Sequence, residues 1–132
     1  MREFERIERI IDLVRRLWNF NSILSLGELL EKWIWADWIE SRGDIFYPED
    51  VDTERRLKEA LVKAESSSTH GDLNAQQNEI IDLIRQHWPR VPDQRFGQFL
   101  SNYAFGHFLN HPPKMILRQS DETILKNLKE FR

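Results

Sequence analysis

The residues able to do chemistry in this chain are few, and their spacing decides little by itself. Asp37 and His107 stand at equivalent places, 70 positions apart. Counting about 100° per residue from Leu26 puts Asp37 on the face of Leu26, Leu29, Leu30 and Trp33. His107 falls likewise with Phe96, Phe99, Leu100 and Tyr103. Packed with two-fold symmetry, the two would form an inter-repeat pair in which a carboxylate holds a histidine tautomer or an imidazolium. The plainer expectation is that both sit at the edge of the core and see water.

His107 and His111 are four apart, a spacing that lets two imidazoles share a metal on a helix. No third ligand stands nearby, so surface or interface histidines are expected and no metal site is assigned. His87 reads as a packed or edge histidine beside Trp88. Asp44, Glu49, Asp50 and Asp52 offer carboxylates to a hard cation, but their spacing is not that of a calcium loop. Helix capping and solubility suit them better. No serine has a Gly-x-Ser-x-Gly setting and no glycine-rich phosphate cradle occurs. Cysteine is absent, which excludes thiol catalysis, disulfides and thiolate metal sites. Catalysis and a cofactor are therefore not expected.

The elements that position these residues come twice. Ile10-Ile11-Asp12-Leu13-Val14-Arg15 recurs as Ile80-Ile81-Asp82-Leu83-Ile84-Arg85, and the same offset pairs Trp18 with Trp88, Gly27 with Gly97 and Leu30 with Leu100. Eight of the 21 positions from Ile10 to Leu30 are identical at that offset. A tandem duplication is the expectation. Residues 1–64 form the first repeat, 65–74 a Ser/Thr/Gly linker and 75–132 the second repeat.

Each repeat reads as three helices. The first covers about Phe4 to Trp18, and about Ala75 to Trp88, where Pro89 and Pro92 stop the ladder. The second covers about Ser25 to Ser41, and about Asp93 to Asn110 with Asp93 as cap. The third covers about Val51 to Ala64, capped by Asp50 or Asp52, and about Asp121 to Phe131, capped by Ser120. Short apolar runs at 45–47 and 115–117 are candidate strands pairing across the repeats. Neither repeat has much interior alone. The expected fold is thus all-α, two pseudo-symmetric three-helix repeats packed as an intrachain pseudo-dimer.

Each repeat resembles the YihD-like small bacterial proteins of unknown function. Their pattern is an Ile/Leu-rich helix ending in Trp, then Pro-Asp-Leu-Arg-Leu-Gly-Gln-Leu, an Asp-x-Phe-Tyr stretch and an acidic cluster. Pro92-Asp93-Gln94-Arg95-Phe96-Gly97-Gln98-Phe99 keeps the middle of it, drifted in the first repeat to Ser22-Ile23-Leu24-Ser25-Leu26-Gly27-Glu28-Leu29. The later motif survives only as Asp44-Ile45-Phe46-Tyr47-Pro48-Glu49-Asp50, replaced in the other repeat by Lys114-Met115-Ile116-Leu117-Arg118-Gln119-Ser120. The resemblance implies a bacterial or phage source and a small helical fold, and brings no activity. The complementary loss of motifs suggests that the halves have specialised.

Charge and apolar content bound the function further. Nineteen basic and 22 acidic residues among 132 give a net charge of −3, so binding of a phosphate backbone is not the default. Residues 1–66 carry 11 Lys/Arg and 15 Asp/Glu, whereas residues 67–132 carry 8 and 7. Arg85, Arg90, Arg95, Lys114 and Arg118 supply most of the positive charge of the second repeat. No apolar run approaches the ~20 residues of a membrane span. Met1 to Arg9 is charged throughout, unlike a secretion signal. A cytoplasmic location is expected.

Trp33, Trp35 and Trp38 cannot all face one core. Either the second helix is sandwiched and Trp35 buried, or Trp35 is exposed as a partner anchor near Tyr47 and the acidic cluster. The expected function is a non-enzymatic protein-binding module, an adaptor, inhibitor or immunity/antitoxin-like protein. It would bind another protein through Trp35, Trp38, Tyr47, Glu49 and Asp50. The alternative is association with nucleic acid through the basic residues of the second repeat.

Overall fold

The computed structural model describes residues 2–37, 49–67, 72–105 and 120–130. The fold is all-α, and no strand occurs among the described residues. Helix α1 spans Arg2–Phe20, α2 Leu26–Leu30 running on as a π-helical turn Glu31–Trp35, and α3 Asp50–Ser67. Helix α4 spans Ala75–His87 and closes in a 3-10 turn Trp88–Arg90 that contains Pro89. Helix α5 spans Phe96–Phe99, continued by a π turn Leu100–Ala104, and α6 spans Asp121–Lys129. The candidate strands at 45–47 and 115–117 lie outside the described residues, as do Trp38, Tyr47, His107, His111, Lys114 and Arg118.

One continuous core draws on all six helices. The stripe Ile7, Ile10, Ile11, Val14, Leu17 and Trp18 buries α1, and Ile80, Ile81 and Ile84 bury α4. Spacings of three and four put these residues on one helical face, and burial of that face holds helices this short in place. Packing joins α1 to α3, α4 to α6, and α1 to α4. Gly27 and Gly97 are both buried.

The local bonds recur at the sequence offset. The Trp18 indole Nε1 donates to Leu24 O at 2.9 Å, and Trp88 Nε1 to Gln94 O at 2.8 Å. Each buried indole thereby pins the turn that follows its helix while satisfying its own N–H. The backbone follows suit, with Asn21 N on Trp18 O and Val91 N on Trp88 O, both at 2.9 Å. Arg9 Nε meets Glu54 at 2.9 Å between α1 and α3, and Lys129 Nζ meets Glu79 at 3.3 Å between α6 and α4. Arg9 and Glu79 are 70 positions apart but Glu54 and Lys129 are not, so the two ion pairs join equivalent helices through different positions of the third helix.

The two π turns explain where counting at 100° per residue goes wrong. A π turn bonds residues five apart, as Phe105 N does to Leu100 O at 2.8 Å, and fits an extra residue into the turn. Every later side chain is therefore rotated from its α-helical position. Trp35, nine residues and so about 180° on from Leu26 at that step, is 0% exposed, and so is its equivalent Phe105. Asp37, placed on the core face, has a side chain 73% exposed. Carbonyls at the ends of these turns are taken up by the third helices: Arg56 Nη1 donates to Ile34 O at 2.6 Å, and Asn127 Nδ2 to Ala104 O at 2.7 Å.

Caps hold the helix starts, with two departures from expectation. Ser25 and Glu28 form a reciprocal capping box on α2, Asn74 and Gln77 another on α4. Ser120 caps α6 as expected, accepting from Thr123 N at 3.2 Å. Asp93 does not cap α5: Arg95 occupies the cap position, its N–H donating to Gln98 Oε1 at 3.2 Å. Asp50 is the first residue of α3, and its carboxylate caps a different helix.

Candidate functional site

That carboxylate belongs to a reciprocal pair. Asp50 Oδ1 accepts from Phe96 N, the first amide of α5, at 2.9 Å. Asp121 Oδ1 accepts from Leu26 N, the first amide of α2, also at 2.9 Å. The third helix of each half thus caps the second helix of the other. First-turn amides have no intrahelical partner, and a carboxylate at a helix N-terminus also meets the positive end of the dipole. Gln77 Nε2 to Ser22 O at 2.8 Å and Arg85 Nε to Glu8 at 3.1 Å add two more bonds across the seam between the halves.

A groove opens beside each cap. The first, of about 560 Å³, lies between the α1–α2 turn and the starts of α4 and α6, with Ile23, Glu28, Gln76, Asp121 and Glu122 among its walls. Ile23 is 94% exposed there. The second, of about 390 Å³, is lined by Arg6, Glu49, Asp50, Val51, Asp93 and Arg95 with Pro92. Its two cations are already paired, Arg6 Nε with Asp50 Oδ2 at 3.0 Å and Arg95 Nη1 with Glu49 at 3.7 Å.

Burial raises the carboxyls of both Asp50 and Asp121 above their ordinary value, because each is taken partly out of water. The bonds from Phe96 N and Leu26 N oppose that rise. Arg6 opposes it further at Asp50, whereas the charge of Glu28 adds to it at Asp121. Glu54 moves the other way, lowered chiefly by its hydrogen bond from Arg9. Burial, with Arg90 nearby, lowers His87.

The residues expected from sequence to bind a partner are dispersed by this arrangement. Trp35 is buried with its ring centroid 5.8 Å from Phe96 of the other half, so it anchors the core and is no exposed anchor. Asp50 is buried as the cap of α5. Glu49 alone of the described members is exposed. Asp37 is engaged by Arg56, Nη1 to Oδ1 at 2.8 Å and Nη2 to Oδ2 at 3.1 Å, and His107 lies outside the described residues. Arg56 thus holds the second helix at and just past its π turn, from both the Ile34 carbonyl and the Asp37 carboxylate.

The three of the expected basic residues that are described, Arg85, Arg90 and Arg95, are drawn into the protein's own network. Arg85 bonds Glu8 and lies 3.7 Å from Asp82, Arg95 pairs with Glu49, and Arg90 has interactions of its own. Such pairing leaves less free positive charge for phosphates than the sequence count suggests. Among the described residues no three His, Cys, Asp or Glu gather to hold a metal. No described helix is long and apolar enough to cross a membrane.

The cross-half caps and Ile23 were missed from sequence. An aspartate opening a helix reads as that helix's own cap, and Ile23 reads as one apolar residue in a turn. The 70-residue offset pairs Asp50 with Ser120, one residue before Asp121, so it brings the two carboxylates only to neighbouring positions at the starts of matching helices. Comparison with family models, with curated proteins and with solved structures finds no match to this chain.

Proposed function

We propose that this chain is a non-enzymatic protein-binding module, an adaptor or inhibitor of the immunity- or antitoxin-like kind, acting in the cytoplasm. It engages another protein through the groove that carries Ile23. The observation supporting this is an apolar side chain held 94% in water at the rim of a concave, polar-walled groove of about 560 Å³. An apolar centre with a polar surround is the anatomy of a protein interface. The α1–α2 turn and the starts of three helices form the walls. The reading needs no cofactor.

A tagged chain incubated with nuclease-treated lysate of its source cells tests this. One stoichiometric protein is expected to be retained by the wild type and lost with Ile23→Glu, which sets a charge against an apolar contact. Retention of nucleic acid alone, released by salt, would contradict the reading and favour the basic second half.

A further inference from the structure

The two grooves occupy matching positions of the two halves. Ile23, Ser25, Gln76 and Ser120 line the first, and the residues 70 positions away, Asp93, Arg95, Arg6 and Asp50, line the second. Each also contains the carboxylate that caps the opposite half, Asp121 in one and Asp50 in the other. What differs is the cation.

In the second groove Arg6 reaches Asp50 Oδ2 at 3.0 Å while Oδ1 keeps Phe96 N, so both oxygens are used. In the first groove Gln76 stands where Arg6 does and Ser25 where Arg95 does. Among the described residues no Lys or Arg lines it, and three carboxylates do: Glu28, Asp121 and Glu122. The shorter side chains leave it the larger cavity, about 560 Å³ against about 390 Å³. Glu28 spends one oxygen on Ser25 N at 2.9 Å and Asp121 one on Leu26 N, and neither has an ion pair among the described residues. In one groove the chain's own arginine therefore sits beside the capping carboxylate. The other keeps the carboxylate with no such counter-ion among the described residues.

We propose that the groove floored by Asp121 binds an arginine side chain of the partner protein, its guanidinium beside Asp121 as Arg6 is beside Asp50, with Ile23 against an apolar neighbour of that arginine. This assignment rests on the protein-binding reading above and names the chemistry the partner presents. A planar guanidinium spans two carboxylates with several N–H donors in a fixed fork, which an ammonium cannot do. A cation there would also offset the burial and the Glu28 charge that together raise Asp121.

Titration of the intact 15N-labelled chain with N-acetyl-arginine amide, followed by NMR, tests the assignment. Saturable shifts are expected at the Leu26 and Gln77 amides, with several-fold weaker binding of N-acetyl-lysine amide. Asp121→Asn keeps an acceptor for Leu26 N–H and removes the charge, and should weaken the response by about tenfold or more. Arg6→Gln empties the second groove and should bring a new response at Phe96. No saturable shift at Leu26, a shift indifferent to Asp121→Asn, or silence at Phe96 in Arg6→Gln would each overturn the proposal. If those results come with capture of a protein partner still sensitive to Ile23→Glu, only the arginine assignment falls. If capture is absent too, the binding reading falls with it.

Discussion

Trp35→Ala is expected to cost about 3–5 kcal/mol of folding stability, enough to leave much of a small domain's population unfolded. The side chain is 0% exposed and its ring lies 5.8 Å from that of Phe96, so truncation opens a cavity where the two halves meet. Trp35→Phe should cost far less. It keeps a ring against Phe96 and gives up an indole N–H that has no hydrogen-bond partner among the described residues. Urea denaturation of the three proteins measures the difference. A Trp35→Ala chain as stable as the wild type would contradict the buried assignment and restore Trp35 as a surface residue.

The second large effect concerns the reciprocal caps. Asp50→Ala or Asp121→Ala leaves a first-turn amide, Phe96 N or Leu26 N, without its acceptor. An orphaned buried donor costs about 1–3 kcal/mol, so the double alanine variant is expected to lose roughly twice that. The asparagine variants should behave otherwise. Each retains a carbonyl oxygen for the amide; Asp121→Asn also sheds the cost of burying a charge, whereas Asp50→Asn gives up the ion pair with Arg6.

The pH dependence separates these causes. Both folded-state carboxyls are raised by burial, so folding takes up protons there. Their favourable contribution is complete below the unfolded value and is lost as pH rises through the folded one. Any gain from Asp121→Asn is thus greatest near neutrality and shrinks as the solution is acidified through that window. Glu54, lowered by Arg9, has the opposite sign: its contribution is present above the unfolded value and lost as pH falls through the folded one. Denaturation midpoints for wild type, Asp121→Asn and Glu54→Gln across the acid range should diverge in those directions. A gain for Asp121→Asn that grows on acidification would contradict the burial argument.

How much of this was legible in the sequence follows from the range of each interaction. Helix periodicity and capping act within a few residues, so the stripes of α1 and α4, the stop at Pro89 and the Ser120 cap could be read directly. The repeat at 70 residues was equally plain, and with it the pairing of Trp18 with Trp88. The π turns were not, because their extra residue leaves no mark in a pattern counted at 100° per step. Counted at that step alone, Trp35 turns away from Leu26 and Asp37 toward the core; the structure buries Trp35, one of the two outcomes expected for it, and exposes Asp37, as the plainer expectation had it. The caps at Asp50 and Asp121 bridge 46 and 95 residues, a range at which composition and periodicity are silent. The grooves depend on those contacts, so the site was less legible than the fold.

We propose that the halves form a pseudo-dimer within one chain, because each lends the other a cap and such reciprocity is the mark of a two-fold interface. The grooves exist only if that seam holds. Cleavage of the intact folded chain at a protease site placed within residues 68–71, followed by size exclusion and circular dichroism, tests this most directly. The two pieces are expected to elute together, one of each, with their helicity kept. Pieces that separate and remain folded as monomers would contradict it.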